Sequence, residues 1–154
     1  MTYVHRCLMG VAIAVGLAGC GGGSRHAYTE EQATRSRTDI ETVQMRDVRG
    51  GSGEPAENGR RVVVHYSGWL YDSAAADRRG VPFDSSRTSG RPFDFVLGAG
   101  QVIPGWERGV AGMKEGGVRE LVIPARLAYG AQGSPPVIPP EATLVFEIEL
   151  VDVR

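Results

Sequence analysis

The sequence predicts an α+β domain: an antiparallel sheet of about five strands packed in two layers against one short helix. Three observations carry this. Alternating or β-branched apolar stretches recur at 60–71, 91–98, 118–123 and 143–154, the two-residue period of half-buried strands. Only residues 105–113 show helical spacing, with Trp106, Val110 and Met113 at i, i+4 and i+7, which is one helical face. The 22 glycines and 9 prolines cut the chain into short segments and favour tight turns over long helices. One helix against an antiparallel sheet is a two-layer α+β arrangement.

Taken in order, residues 40–50 (IETVQMRDVRG) alternate loosely and predict a strand that ends in the turn region GGSGEPAENG. RRVVVHYSGWLY is β-branched and aromatic, hence a strand; DSAAADRRGVP reads as a loop and FDSS as a short extended piece. In RPFDFVLG, Phe93, Phe95 and Leu97 share one face and Asp94 and Val96 the other. The helix follows at 105–113, then VRELVIP as a strand stopped by Pro124, then a long loop holding four prolines, 126–142. The last strand turns Leu144, Phe146, Ile148 and Leu150 inward and Glu147 and Glu149 outward.

The first twenty residues differ in kind. Arg6 precedes the apolar run LMGVAIAVGLAG, which is too short to span a bilayer as a helix and has the shape of a secretory signal. It ends in LAGC, and small residues before a cysteine resemble a bacterial lipobox. The expectation is a signal peptide over 1–19 and lipidation of Cys20, for example by palmitate, followed by a flexible polar tether to residue 39 and a domain from 40 to 154. Gly21 after the cysteine resembles lipoproteins of the outer membrane facing the periplasm. Cys7 would leave with the signal, so the mature domain would hold no free thiol and no disulfide.

A net charge of -1 leaves no electrostatic footprint for nucleic acid or anionic lipid. Conventional catalysts are missing too. His65 and Ser67 lie two apart on one strand with Asp84 downstream, but no GxSxG exists to expose the serine on a sharp turn. His5, His26 and His65 fall in signal, tether and strand, with no metal-ligand spacing. GAGQVIPG lacks the spacing of a phosphate-binding loop. What stands out is aromatic: Tyr66, Phe83, Phe93, Phe95, Trp106, Tyr129 and Phe146. Most of these suit a core. Phe83 and Trp106, however, open their segments at loop junctions, and Tyr129 sits in the proline loop.

VVVHYSGWL, FDSS, PFDFVLGAGQVIPGWERGVAGMKEGG and AYGAQGSPPVIPPEATLVFEIELV, in that order, resemble the FKBP-type peptidyl-prolyl cis-trans isomerases over Ile40 to Val153. The resemblance implies a twisted antiparallel sheet wrapped around one short helix, and a proline-binding pocket floored by Trp106. Its catalytic residues would be Tyr66, Phe83, Asp84, Trp106, Tyr129 and Phe146; substrate would also meet Phe93, Val102, Ile103, Val137 and Ile138. It implies rotamase activity without cofactor or metal, proline-containing unfolded polypeptides as substrates and macrolide inhibitors as ligands. A module that holds proline segments with weak or no turnover is the alternative. The polar N-terminal segment is too short for a dimerising helical arm, so a monomer is expected. Two departures from the family pattern bear on substrate preference: the longer 67–82 segment, expected to alter the pocket rim near Asp84, and Ser134 and Pro136 in the proline loop.

Overall fold

The computed structural model describes residues 28–154; the expected signal, Cys20 and the start of the tether lie outside them. Six antiparallel strands form one sheet: β1 Gln44–Arg49, β2 Arg61–Tyr71, β3 Arg79–Ser85, β4 Phe93–Val96, β5 Val118–Ile123 and β6 Leu144–Val153. The spatial order is β1-β5-β6-β2-β3, with β4 also paired to β2. Three short helices accompany them: α1 Glu30–Arg35, α2 Ser86–Ser89 and α3 Pro104–Val110.

The last strand shows why the layers form. Leu121 pairs with Phe146 and Ile123 with Leu144, so the inward residues of β5 and β6 stand side by side under α3. Leu144, Ile148 and Leu150 are fully buried, as are Val62 and Val64 of β2 and Phe95 of β4. Trp106 and Val110 bury the face of α3 that their spacing predicts, and Met113, expected on the same helix, is buried just past its end at Val110. The helix can lie this close because Gly105 faces the sheet: a Cβ there would overlap the Ile123 side chain.

Two expectations need correction. Residues 79–82 of the expected loop belong to β3, which pairs with β2 through two register irregularities. Gly80 and Pro82 hide this strand from a propensity reading; an edge position tolerates both. The second concerns the tether, whose described part is docked and not free. Thr29 and Gln32 close a capping box on α1, Ala33 and Ser36 are buried, and Tyr28 packs on the core. The Thr143 N–H donates to the Ser36 carbonyl at 2.8 Å, and the Thr38 and Thr143 hydroxyls meet at 2.8 Å. A six-residue helix that buries one alanine leaves no apolar period, and backbone hydrogen bonds leave no trace in side-chain pattern.

Candidate functional site

Above the concave face of the sheet lies a cavity of about 410 Å³, within the usual range for small-ligand sites. Every strand but β1 and β5 delivers a side chain to it. Tyr66 comes from the centre of β2, Phe83 and Asp84 from β3, Phe93 from β4 and Phe146 from β6. Val102, Ile103 and Trp106 arrive from the entry to α3, and Tyr129 from between two short 3-10 turns, Ala125–Leu127 and Gly130–Gln132. These nine expected residues therefore meet in one place.

Trp106 forms the floor. Tyr66, Phe146 and Phe93 stand nearly perpendicular to it, with ring centroids at 5.0, 5.4 and 6.1 Å, the edge-to-face arrangement that aromatic quadrupoles favour. Phe83 meets Phe146 edge-on at 5.5 Å. Gly68 lets both rings settle on β2: a Cβ there would lie 2.7 Å from Phe83 and 2.8 Å from Phe146. Trp106 is 5 % exposed and its indole N–H has no partner among the described residues.

The polar groups are few. The Tyr66 hydroxyl donates to Asp84 Oδ2 at 2.6 Å. Burial, then the hydrogen bond to Asp84 and the charge of that carboxylate, raise the Tyr66 pKa above the ordinary phenol value. Burial and the Asp84 charge raise that of Tyr129 as well. Both hydroxyls therefore stay protonated as donors through neutral and mildly alkaline pH. The Ile103 carbonyl accepts from the Trp106 and Glu107 N–H groups at 2.9 and 3.3 Å as the first turn of α3 forms. Neither the Ile103 N–H nor the Tyr129 hydroxyl has a hydrogen-bond partner among the described residues.

Two lining residues escape the sequence reading, Gly100 and Gln101. Gln101 Oε1 accepts from the Val96 N–H at 2.9 Å, and Glu107 accepts from the Gly100 N–H at 2.9 Å. Together they brace the turn that leads into α3. Their position beside VIPGW was the available signal. Val137 and Ile138 lie outside the main cavity, in an adjoining hollow of about 240 Å³ that also touches Phe83, Asp84 and Tyr129. Ser134 lines that hollow too. The long segment before Phe83 leaves the main cavity untouched. Its Arg78 and Arg79 cross the opposite face of the sheet to Glu120 instead.

His65, Ser67 and Asp84 are not brought together. His65 Nδ1 lies 3.0 Å from Ser86 Oγ, Ser67 Oγ lies 2.9 Å from Ser85 Oγ, and Asp84 faces Tyr66.

Comparison with known proteins points the same way. The sequence profile of the FKBP-type peptidyl-prolyl cis-trans isomerase family matches residues 52–151. An FK506-binding protein of Neisseria meningitidis is 48% identical over 109 residues, 71% of this chain and 94% of the relative. The peptidyl-prolyl cis-trans isomerase FPR2 of Saccharomyces cerevisiae is 54% identical over 96 residues, 62% of this chain and 67% of the relative. The crystal structure of FkpA from Escherichia coli superposes with a TM-score of 0.62 at 40% identity. That match covers 80% of this chain, which spans 55% of the FkpA chain.

Proposed function

The chain belongs to the FKBP-type peptidyl-prolyl cis-trans isomerases, and from that premise we propose that it accelerates X-Pro rotation in exported polypeptides as they fold. One observation carries the catalytic reading. Aromatic rings converge on a single cavity, where the Tyr129 hydroxyl and the Ile103 N–H are among the donors without a partner in the described residues.

The chemistry requires no bond to be made or broken. Amide resonance holds the X-Pro bond planar behind a barrier of about 18–20 kcal/mol, so uncatalysed exchange takes tens to hundreds of seconds. Rotation removes that resonance and with it charge separation. An apolar cavity therefore favours the twisted amide over the planar one. In this reading the pyrrolidine ring lies on Trp106, between the walls made by Tyr66, Phe93 and Phe146. Ile103 N–H and Tyr129 hydroxyl donate to substrate carbonyls and fix the twist. Asp84, held by Tyr66, orients the rim on the β3 side. Phe83 closes that side, while Val137 and Ile138 meet the chain where it leaves over the adjoining hollow.

The location rests on sequence. LAGC at 17–20 supports cleavage before Cys20, lipidation there and retention at the bacterial cell envelope, on the periplasmic side of the outer membrane. Slow prolines limit the folding of exported chains, so an isomerase held at the membrane meets its substrates as they emerge. The protein acts as a monomer in this reading and binds macrolides of the FK506 kind in the same cavity.

The test measures isomerisation of a short peptide with an apolar residue before proline, with and without FK506. Fast, inhibitable turnover supports the enzyme. Macrolide binding without turnover leaves a module that only holds proline segments. Labelled palmitate incorporated by the full chain and lost in Cys20→Ala supports the anchor; equal labelling of both removes it.

A further inference from the structure

We propose that the groove beside the proline pocket is a subsite for the polypeptide flanking the proline, in which Arg91 selects a segment bearing a carboxylate side chain. The inference rests on the isomerase reading above and concerns which substrates that pocket prefers.

A second hollow, of about 760 Å³, runs along β3 and α2. It shares Tyr66, Phe83, Asp84 and Phe93 with the proline pocket, so the two hollows adjoin. The substrate is a polymer and its flanking residues must lie somewhere. β3 pairs with β2 alone, which leaves its other edge open on this side.

The polarity of the groove argues for the occupant. Its serines are already committed: Ser67 to Ser85, and Ser85 and Ser86 to the backbone of Tyr66. Arg87, on α2, is committed as well, to Glu149. Arg91 lines the groove, and among the described residues no carboxylate pairs with it. A guanidinium without a counterion presents five donors in a fork that fits a carboxylate. Asp84 is the one carboxylate among the groove's lining residues, at the junction with the proline pocket. It repels an acidic residue adjacent to the proline. The favoured acidic residue therefore stands further along the chain, within reach of Arg91.

The experiment uses the full chain and peptides built on one X-Pro core, with Glu or Gln at each position two to four residues away on either side. In at least one register Glu raises kcat/KM over Gln by about two- to fivefold, the range of an exposed ion pair, and the ratio shrinks as salt rises. Arg91→Gln brings that ratio to about one and Arg91→Glu inverts it, the expected sign change for a surface charge pair. Because the readout is a ratio within each variant, a partly destabilised variant still reports. A ratio near one at every register in the wild type, or a ratio that survives Arg91→Gln, overturns the subsite. Calorimetry with the same peptides separates the two readings. Turnover of the short apolar peptide with no Glu preference removes the subsite alone. Glu-dependent binding without turnover keeps the subsite and removes catalysis. Neither binding nor turnover of any peptide removes both.

Discussion

The hydrogen bond from Tyr66 to Asp84 Oδ2 ties the centre of the sheet to its edge. Tyr66 stands on β2, which is paired on both sides, whereas Asp84 stands on β3, which has one neighbour and an irregular register. Backbone pairing alone leaves β3 weakly fixed, and this 2.6 Å side-chain bond holds its pocket end against the aromatic wall. Tyr66→Phe and Asp84→Asn should each lower kcat/KM several-fold while circular dichroism stays native. Because the two groups act through one bond, a double-mutant cycle should return a coupling of about 1 kcal/mol. Additive effects would show that the pair does not act as a unit.

The same pair sets the response to alkali. Tyr66 and Tyr129 both have folded pKa values above the ordinary phenol value, through burial and the Asp84 carboxylate. Their contribution to stability is complete below the unfolded value of about 10. It is lost as pH rises from there through the higher folded values, because the unfolded chain releases protons that the native one keeps. Activity should therefore stay level from pH 7 to about 10 where tyrosine ionisation is concerned. Absorbance at 295 nm should show late-ionising tyrosines, one fewer in Tyr66→Phe. A titration in which every tyrosine ionises near the ordinary value would contradict these shifts.

Gly105 sets the depth of the pocket floor. It sits one residue before Trp106, and a Cβ there would overlap Ile123. Gly105→Ala should lift α3 from β5, cost about 1–3 kcal/mol by overpacking, and move Trp106 with it. The checks are thermal unfolding and Trp fluorescence, and kcat/KM should fall further than Gly→Ala at an exposed site such as Gly50, which has open space around it.

The docked N-terminal segment moves the boundary of the folding unit. A chain that starts at Ile40 loses the Ser36–Thr143 and Thr38–Thr143 hydrogen bonds and the buried Ala33. At a net of about 0.5–1.5 kcal/mol per hydrogen bond, it should unfold several degrees below a chain that starts at Tyr28. Equal melting temperatures would mean that the segment adds nothing to the domain.

What the sequence made legible follows from how each feature is written in it. The β6 alternation and the Trp106, Val110 face read out directly, since burial of one face imposes its period on the side chains, whereas Met113 is buried beyond the helix end. The aromatic set was legible through residue type and order, and six of its seven members meet in one cavity. β3 was hidden because an edge strand tolerates Gly80 and Pro82. The docking of α1 was hidden because backbone hydrogen bonds carry no residue code. Arg78 and Arg79 fall in the stretch read as a loop, and only the fold shows that they close over Glu120.

That ion cluster governs the response to acid. Glu120 is buried on the outer face of the sheet, with Arg46, Arg78 and Arg79 at 3.1, 3.3 and 2.8 Å; Arg79 also reaches Glu147 and lies 4.4 Å over the Trp69 ring. Burial alone would raise the Glu120 pKa, but the hydrogen bonds from Arg79 and Arg46 and their charges outweigh it and hold it below the ordinary value. A depressed folded pKa contributes stability that is complete above the unfolded value of about 4.3 and is lost as pH falls through the folded one. Glu120→Gln leaves three guanidinia without their shared charge. It should cost about 1–3 kcal/mol at neutral pH, less than a fully buried pair because the arginines reach solvent. Chemical denaturation of wild type and Glu120→Gln at pH 7 and pH 3 checks the sign. The gap between them should be wide at pH 7 and narrow at pH 3. A gap that stays constant with pH would mean that Glu120 acts by packing and not by charge.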